Sequence, residues 1–160
     1  MVRRSFVCRF KASSPISSRK SVPPSAERIN PSEADYDDLW HRRFDPREPE
    51  VKRLAIDPGY VGVYYGTDKP DLRDFVAGMI VGEVAEVPEG LALRALPGGV
   101  YAVFSCTMGN LSETWRAIFA EWLPTSGYAE DESRPGIEYF PPSTVGPDDP
   151  ATIYLAIVGR

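Results

Sequence analysis

The chain has 160 residues, of which 42% are hydrophobic, and a formal net charge of −5. This length favours a single domain with a real core. Residues 1–30 hold seven Lys and Arg against one acid, which leaves 11 against 22 in residues 31–160. Because an acidic body repels phosphate backbones, we expect no direct nucleic-acid binding by the folded domain, and cationic small molecules or basic partners are favoured.

The sequence carries no signal for a membrane, a metal or a cofactor. The basic start MVRRSFVCRF is not followed by the apolar run and cleavage site of a signal peptide, so we expect a cytoplasmic protein without a membrane partner. The two cysteines, Cys8 and Cys106, lack CxxC spacing, and we expect no disulfide. His41 is the only histidine and lies beside two arginines, where we expect it to be solvated. We therefore predict no metal site and no cofactor.

Residues 1–30 read as a basic arm that is rich in Ser and Pro. Ser5 to Phe10 has the composition of a first strand, whereas Ser13 to Pro31 is typical of a loop or a disordered connection. We accordingly place the folded domain at residues 31–160.

The first half of that domain begins with a helix. Ser32 followed by Asp35 is a capping pattern, and Pro46 and Pro49 are expected to end the helix. The apolar residues at helical spacing are Tyr36, Leu39, Trp40 and Phe44. Two strands are predicted next, Val61 to Gly66 and Phe75 to Val84, with a turn between them at Asp68, Pro70 and Asp71.

The second half repeats this order of elements. Val100 to Met108 has Val, Ala, Phe, Cys and Met at even positions and Tyr, Val, Ser and Thr at odd ones, an alternation that predicts a strand covered on one face. Asn110 and Glu113 form a capping pattern, and Pro124 is expected to stop the helix. The helical stripe consists of Leu111, Trp115, Ile118, Phe119 and Trp122. Two strands follow, Ile137 to Phe140 with the single carboxylate Glu138, and Thr152 to Val158.

Three matches between the halves indicate an internal duplication. Trp40 with Phe44 matches Trp115 with Phe119, Gly62-Val63-Tyr64-Tyr65 matches Gly136-Ile137-Glu138-Tyr139, and Ile80-Val81-Gly82 matches Ile157-Val158-Gly159. The same order at nearly equal offsets predicts two strand-helix-strand-strand units, about residues 31–84 and 91–159. Two such units can pack about a pseudo-twofold axis, with a cleft at the seam.

The runs PEGLALRALPGGVYAVF, TWRAIFAEWLPTSGY and PGIEYF, with the closing IYLAIV, resemble the GyrI-like small-molecule-binding domain, also called the AraC-type effector-binding domain, over about residues 35–160. The resemblance implies an α+β fold in which two pseudo-twofold-related units form an antiparallel sheet, packed by two main helices around a central cleft. It also implies an aromatic, often cationic ligand. In several members an acidic residue on a cleft strand faces the ligand, and Glu138 lies on the matching strand.

Three functions are then open. The first is a stand-alone effector-binding protein that holds an aromatic cation against Glu138 and is linked to transcriptional regulation or multidrug sensing through a protein partner. The second is a metal-independent hydrolase that opens cyclopropane-bearing natural products with Glu138 and Tyr65 as its catalytic pair. The third is a protein-interaction role like that of the gyrase inhibitors of the family.

The candidate ligand-binding residues each have an ordinary structural alternative. Glu138 would lose hydration in a cleft, which raises its pKa, but it could instead lie in solvent or pair with Arg134. The aromatic candidates on the helix are Trp115, Phe119 and Trp122, which could equally be core. Those on strands are Tyr64, Tyr65, Tyr101 and Tyr139. Because strand neighbours point to opposite faces, one of Tyr64 and Tyr65 faces the cleft, and the sequence leaves open which.

Overall fold

A computed structural model of the protein describes residues 5–10 and 26–160, with side chains described from residue 26 onward. The strands are β1 (Ser5–Phe10), β2 (Ala26–Ile29), β3 (Tyr60–Gly66), β4 (Arg73–Gly78), β5 (Gly99–Thr107), β6 (Tyr128–Glu130), β7 (Gly136–Phe140) and β8 (Pro150–Gly159). Two helical stretches accompany them, α1 over residues 38–52 and α2 over residues 108–125.

Helix α1 changes its type twice along its length. It is a π-helix at Asp38–Phe44, a 3₁₀ turn at Asp45–Arg47 and an α-helix at Glu48–Lys52. The expectation that Pro46 and Pro49 end the helix is wrong, because each lies in the first turn of a new segment, where a missing N–H costs nothing. Asp35 opens the helix, since its Oδ1 accepts from the Asp38 N–H at 3.0 Å.

Helix α2 is also composite. A 3₁₀ turn at Met108–Asn110 precedes α-helix at Leu111–Ala117, π-helix at Ile118–Trp122 and a last turn at Leu123–Thr125. The predicted cap is wrong in detail, because the Asn110 side chain accepts from the Thr107 N–H at 2.8 Å and forms a box with that residue instead of with Glu113. Pro124 does not stop the helix either, since it too occupies a first-turn position.

The strands form one antiparallel sheet in the order β1-β5-β8-β7-β3-β4-β2, and β6 pairs with the far end of β8. Three of these strands differ from the sequence predictions, and one of them, β6, lies where no strand is predicted. Ala26–Ile29 is strand β2, paired with β4, although Ser13 to Pro31 is predicted as loop, and residues 11–25 lie outside the described part. Strand β4 ends at Gly78, well before the predicted Val84.

The predicted duplication and α+β fold are confirmed. Strands β2, β3 and β4 with α1 correspond to β5, β7 and β8 with α2, and β3 pairs with β7 at the seam. Val63 lies opposite Ile137 there, and these are equivalent residues of the two units, so the pseudo-twofold axis passes between them. The match of Ile80 with Ile157 is wrong, because Ile80 lies beyond β4 whereas Ile157 lies inside β8.

Both faces of the sheet are covered. The helix face carries one core cluster under α2, around Phe104, Ile118 and Ile153, and a smaller one under α1, around Leu39 and Phe75. The other face carries a third cluster that includes Val61, Val63, Tyr101, Ile137 and Ala156. The prediction that β5 is covered on one face is therefore wrong, since Tyr101 on the second face is only 1% exposed. Within the described residues, no helix is long and apolar enough to cross a membrane.

The packing at the seam predicts that Gly62 tolerates no side chain. A Cβ on Gly62 would lie 3.0 Å from Glu138 Oε2 and 3.1 Å from Phe75 Cε2, and Phe75 is buried. We expect Gly62→Ala to lower the free energy of unfolding by about 1 to 3 kcal/mol in urea denaturation.

The matched control is Gly78→Ala on the neighbouring strand, whose Cβ would meet its nearest atom, Val76 Cγ1, at 3.8 Å. This substitution should change the free energy of unfolding by less than about 1 kcal/mol. Equal effects of the two substitutions would contradict the crowding at Gly62.

Candidate functional site

A cavity of about 810 Å³ opens between α1 and α2 above the centre of the sheet. We call it the front cavity. Its size is in the range of pockets that bind small molecules. Six aromatic side chains contribute to its lining: Tyr36, Trp40, Tyr64, Trp115, Phe119 and Phe140.

The carboxylate of Glu138 lies in the wall of the front cavity. The side chain is buried, with 3% of its surface exposed. The indole Nε1 of Trp115 donates to Glu138 Oε1 at 2.7 Å, and the Tyr64 hydroxyl donates to the same oxygen at 3.2 Å. Among residues 26–160, no hydrogen bond reaches Oε2 and no basic side chain forms an ion pair with Glu138.

Two glycines at the seam make room for these side chains. In the β3–β7 pairing, Gly62 lies opposite Glu138 and Gly136 lies opposite Tyr64. A Cβ on Gly136 would lie 3.1 Å from Trp115 Cη2, just as one on Gly62 would crowd the carboxylate. Each unit therefore supplies a glycine where the other unit supplies a polar side chain.

Burial raises the pKa of Glu138 to about 7, and the hydrogen bonds from Trp115 and Tyr64 offset only part of this rise. The carboxyl group can therefore be protonated or charged near neutral pH. Burial, followed by the nearby Glu138 charge, raises the pKa of Tyr64 far above its ordinary value. Tyr64 consequently remains a neutral hydrogen-bond donor.

The ordinary alternatives for Glu138 are wrong. The carboxylate is not on a solvent face, and Arg134 is not its partner. Arg134 pairs with Asp131 at 2.9 Å and donates to the Val100 and Ile157 carbonyls on the other face of the sheet.

The structure brings four of the predicted site residues together: Glu138, Tyr64, Trp115 and Phe119. Trp115 and Phe119 stack with ring centroids 6.0 Å apart, and Tyr64 contacts Trp115 edge to face at 6.1 Å. Strand alternation thus places Tyr64 in the front cavity, the point that the sequence left open.

The other four predicted residues lie elsewhere. Tyr65 is on the opposite face from Glu138 and donates to the Ala95 carbonyl at 2.8 Å, so the proposed pair of Glu138 and Tyr65 is not assembled. Tyr101 and Tyr139 share that face and donate to the Pro97 carbonyl and to Asp57. Trp122 packs on Phe104 in the core, with centroids 5.0 Å apart.

Sequence reasoning missed three aromatic residues of the front cavity, namely Tyr36, Trp40 and Phe140. Trp40 is the equivalent of Trp115 in the duplication, which was an available signal for it. Phe140 lies two residues after Glu138 on β7 and therefore on the same face. Tyr36 stands out in the sequence only as part of a helical stripe, and its position over the sheet depends on the tertiary fold.

Comparison with known proteins gives a consistent result. The model of the GyrI-like small molecule binding domain matches residues 16–157. A DNA gyrase inhibitor of Erwinia billingiae is 32% identical over 81 residues, 46% of this chain and 52% of that protein. The transcriptional regulator BrlR of Pseudomonas aeruginosa is 32% identical over 114 residues, 70% of this chain and 41% of that protein. The matched segments therefore span about half of these relatives or less.

The raised pKa of Glu138 predicts a pH-dependent stability. Because the folded state holds this proton more tightly than the unfolded state, the contribution is complete below the ordinary pKa of 4.5 and is lost as pH rises through about 7. Relative to Glu138→Gln, the wild type should lose about 2 to 3 kcal/mol of unfolding free energy between about pH 5 and about pH 8, measured by urea denaturation.

The control for this measurement is Glu113→Gln, which removes a carboxylate that is 74% exposed on α2. Because this carboxylate is exposed, its replacement should change the free energy of unfolding by less than about 1 kcal/mol. A pH-independent difference between wild type and Glu138→Gln would show that Glu138 is already charged, or stays protonated, throughout this range.

Proposed function

Because the chain belongs to the GyrI-like small-molecule-binding family, we propose that it binds an aromatic cation in the front cavity, with Glu138 as the counter-charge. The observation that carries this proposal is a buried carboxylate without a basic partner among residues 26–160, set in an aromatic wall. A buried charge is costly unless it is paired, so such a site favours a ligand that brings the missing positive charge.

The aromatic wall supports the same class of ligand. A cation over the face of an aromatic ring gains about 0.5 to 2 kcal/mol, more when water is excluded. Trp115 and Tyr64 contact the carboxylate, and Phe119 stacks on Trp115 on the side of α2. Trp40 and Phe140 contact each other edge to face at 5.7 Å on the side of α1. A flat cation between the two helices would therefore have rings on both sides and the carboxylate below.

We further propose that binding serves to sense the compound and is passed on to a protein partner. The names of the relatives, a transcriptional regulator and a DNA gyrase inhibitor, motivate this part of the proposal. A ligand that contacts both units would fix their relative position across the β3–β7 seam. That constraint offers a physical route from ligand binding to an altered outer surface.

A second candidate function is hydrolysis of a reactive ligand in the same cavity. Its support is the pKa of about 7 for Glu138, which suits a general base or acid near neutral pH. Tyr64 replaces Tyr65 in this version, because Tyr64 is the tyrosine that is hydrogen-bonded to Glu138. A ligand recovered unchanged after binding would favour the binding function, and a ligand recovered as a hydrolysis product would favour the hydrolase.

Two ligands of nearly equal shape test the role of the charge, the cation N-methylquinolinium and the neutral 1-methylnaphthalene. We expect the cation to bind wild type more tightly than the neutral compound. Glu138→Gln should weaken cation binding by about 10- to 100-fold, or roughly 1.4 to 2.8 kcal/mol, and leave the neutral compound within about 3-fold. Calorimetric titration above about pH 8, where Glu138 is charged, gives the clearest values.

Glu113→Gln serves as the charge-matched control and should bind both compounds as wild type does. Cation binding that is equal in wild type and Glu138→Gln would contradict the proposal. Chemical conversion of a bound ligand by wild type, lost in Glu138→Gln and Tyr64→Phe, would favour the hydrolase.

A further inference from the structure

A second cavity, of about 470 Å³, lies against the opposite face of the sheet. We call it the back cavity. Residues of β3 and β4 form its floor. On β3, for example, Val63 and Tyr65 line the back cavity, whereas Tyr64 between them lines the front cavity. Residues 79–96 and the C-terminal part of α1 enclose it. At the β4 edge of the sheet the back cavity also reaches Leu39 and Phe75 of the helix face, but the two cavities share no described lining residue.

The two cavities differ in the chemistry of their walls. Aliphatic side chains line most of the back cavity, including Val61, Val63, Val76, Leu91, Leu93 and Leu96. The front cavity, in contrast, is lined by six aromatic side chains. Branched aliphatic walls fit an alkyl chain rather than a flat ring, because they offer no extended planar surface to stack on.

The charge of the back cavity also has the opposite sign. Four arginines line it, whereas Glu27 is its one acidic lining residue within residues 26–160. Glu27 is already occupied, since Arg43 pairs with both Glu27 and Asp38. Arg47 is satisfied as well, by Glu50 at 2.8 Å and by the Glu89 carbonyl at 2.6 Å.

Arg94 differs from the exposed Arg42 and from the two paired arginines, because one of its nitrogens is buried without a partner. Its Nε is buried and has no hydrogen-bond partner among residues 26–160. In the part of the chain whose side chains are described, Arg94 forms one ion pair, with Asp74 at 3.7 Å from Nη2, which is too far for a hydrogen bond; Asp74 already accepts from Arg28 Nε at 3.0 Å. The guanidinium lies over the ring of Tyr65, 5.0 Å from its centroid, and 30% of the side chain is exposed.

An arginine in this position lacks the acceptor that a guanidinium ordinarily has. Buried polar groups without a partner cost free energy, and a guanidinium binds carboxylates through two parallel hydrogen bonds. Tyr65 contributes to holding Arg94 in place, because its hydroxyl is fixed by the Ala95 carbonyl at 2.8 Å. The cation is therefore presented at the wall of an aliphatic cavity.

We propose that the back cavity is a second ligand site, which binds an amphipathic carboxylate with its alkyl chain against the aliphatic wall and its carboxylate on Arg94. The site is independent of the cation site at Glu138. It would give the protein two ligands of opposite charge on the two faces of one sheet.

Decanoate is the probe for this site, and 1-decanol, with the same chain and no charge, is the ligand control. In amide NMR spectra, decanoate should shift residues 91–96 and the β3 and β4 residues of the back face. We expect Arg94→Gln to weaken decanoate binding at least about 10-fold, and Arg94→Lys, which keeps the charge but loses the two parallel hydrogen bonds, to weaken it by less than Arg94→Gln does. Glu138→Gln should leave it unchanged, and 1-decanol should bind more weakly than decanoate.

Decanoate affinity that is equal in wild type and Arg94→Gln, or equal to that of 1-decanol, would overturn the proposal. So would decanoate shifts confined to the front cavity, or an absence of binding. If Arg94→Gln does not fold, as judged by circular dichroism, Arg94→Lys and the NMR map still decide the question. N-methylquinolinium added to the same samples reports separately on the front cavity, so the two proposals can fail independently.

Discussion

The burial of one carboxylate at the seam between two duplicated units governs the arrangement of this protein. Glu138 receives hydrogen bonds from Trp115 of its own unit and from Tyr64 of the other, so one charged group links α2, β7 and β3. Positions 62 and 136 are glycines because the Glu138 carboxylate and the Trp115 indole occupy the space that a Cβ atom at these positions would need. The aromatic wall, the raised pKa and the cation proposal all follow from this one placement.

The sequence predicted the elements that carry their own signal. The alternation in β5 and a helical stripe in α2 located both elements, and a lone carboxylate in an apolar strand identified Glu138. The duplication predicted two units related by a pseudo-twofold axis, with a cleft at the seam between them. These patterns are local or are repeated within the chain, so no knowledge of the tertiary contacts is needed to recognise them.

The sequence failed where a tertiary contact decides the outcome. Strand β2 has only four residues in a Ser- and Pro-rich context, and its pairing with β4 is what makes it a strand. The sequence does not show which of Tyr64 and Tyr65 faces the front cavity. The register of β3 with β7 decides this, because it pairs Tyr64 with Gly136. Pro46 and Pro49 stay inside α1 because the helix changes type at each of them, which a rule for regular α-helices does not foresee. The boundary between arm and domain at residue 31 stays a prediction, and β2 precedes it.

The two faces of the sheet carry different functional groups. The helix face holds a carboxylate among aromatic rings, and the other face holds a guanidinium among aliphatic chains. Both charges lie where the fold supplies an incomplete set of partners. If each cavity binds its ligand, strands β3 and β4 contact both ligands. The sheet is then the physical connection between the two sites.

The measurement that tests the central claim most directly is a count of the protons released when N-methylquinolinium binds near pH 7. Calorimetric titration in buffers of different ionisation enthalpy gives this number. If the cation pairs with a Glu138 whose pKa is about 7, roughly half a proton should leave per cation bound by wild type, and none per cation bound by Glu138→Gln. Binding without proton release, or with equal release from both proteins, would contradict the pairing of the ligand with this carboxylate.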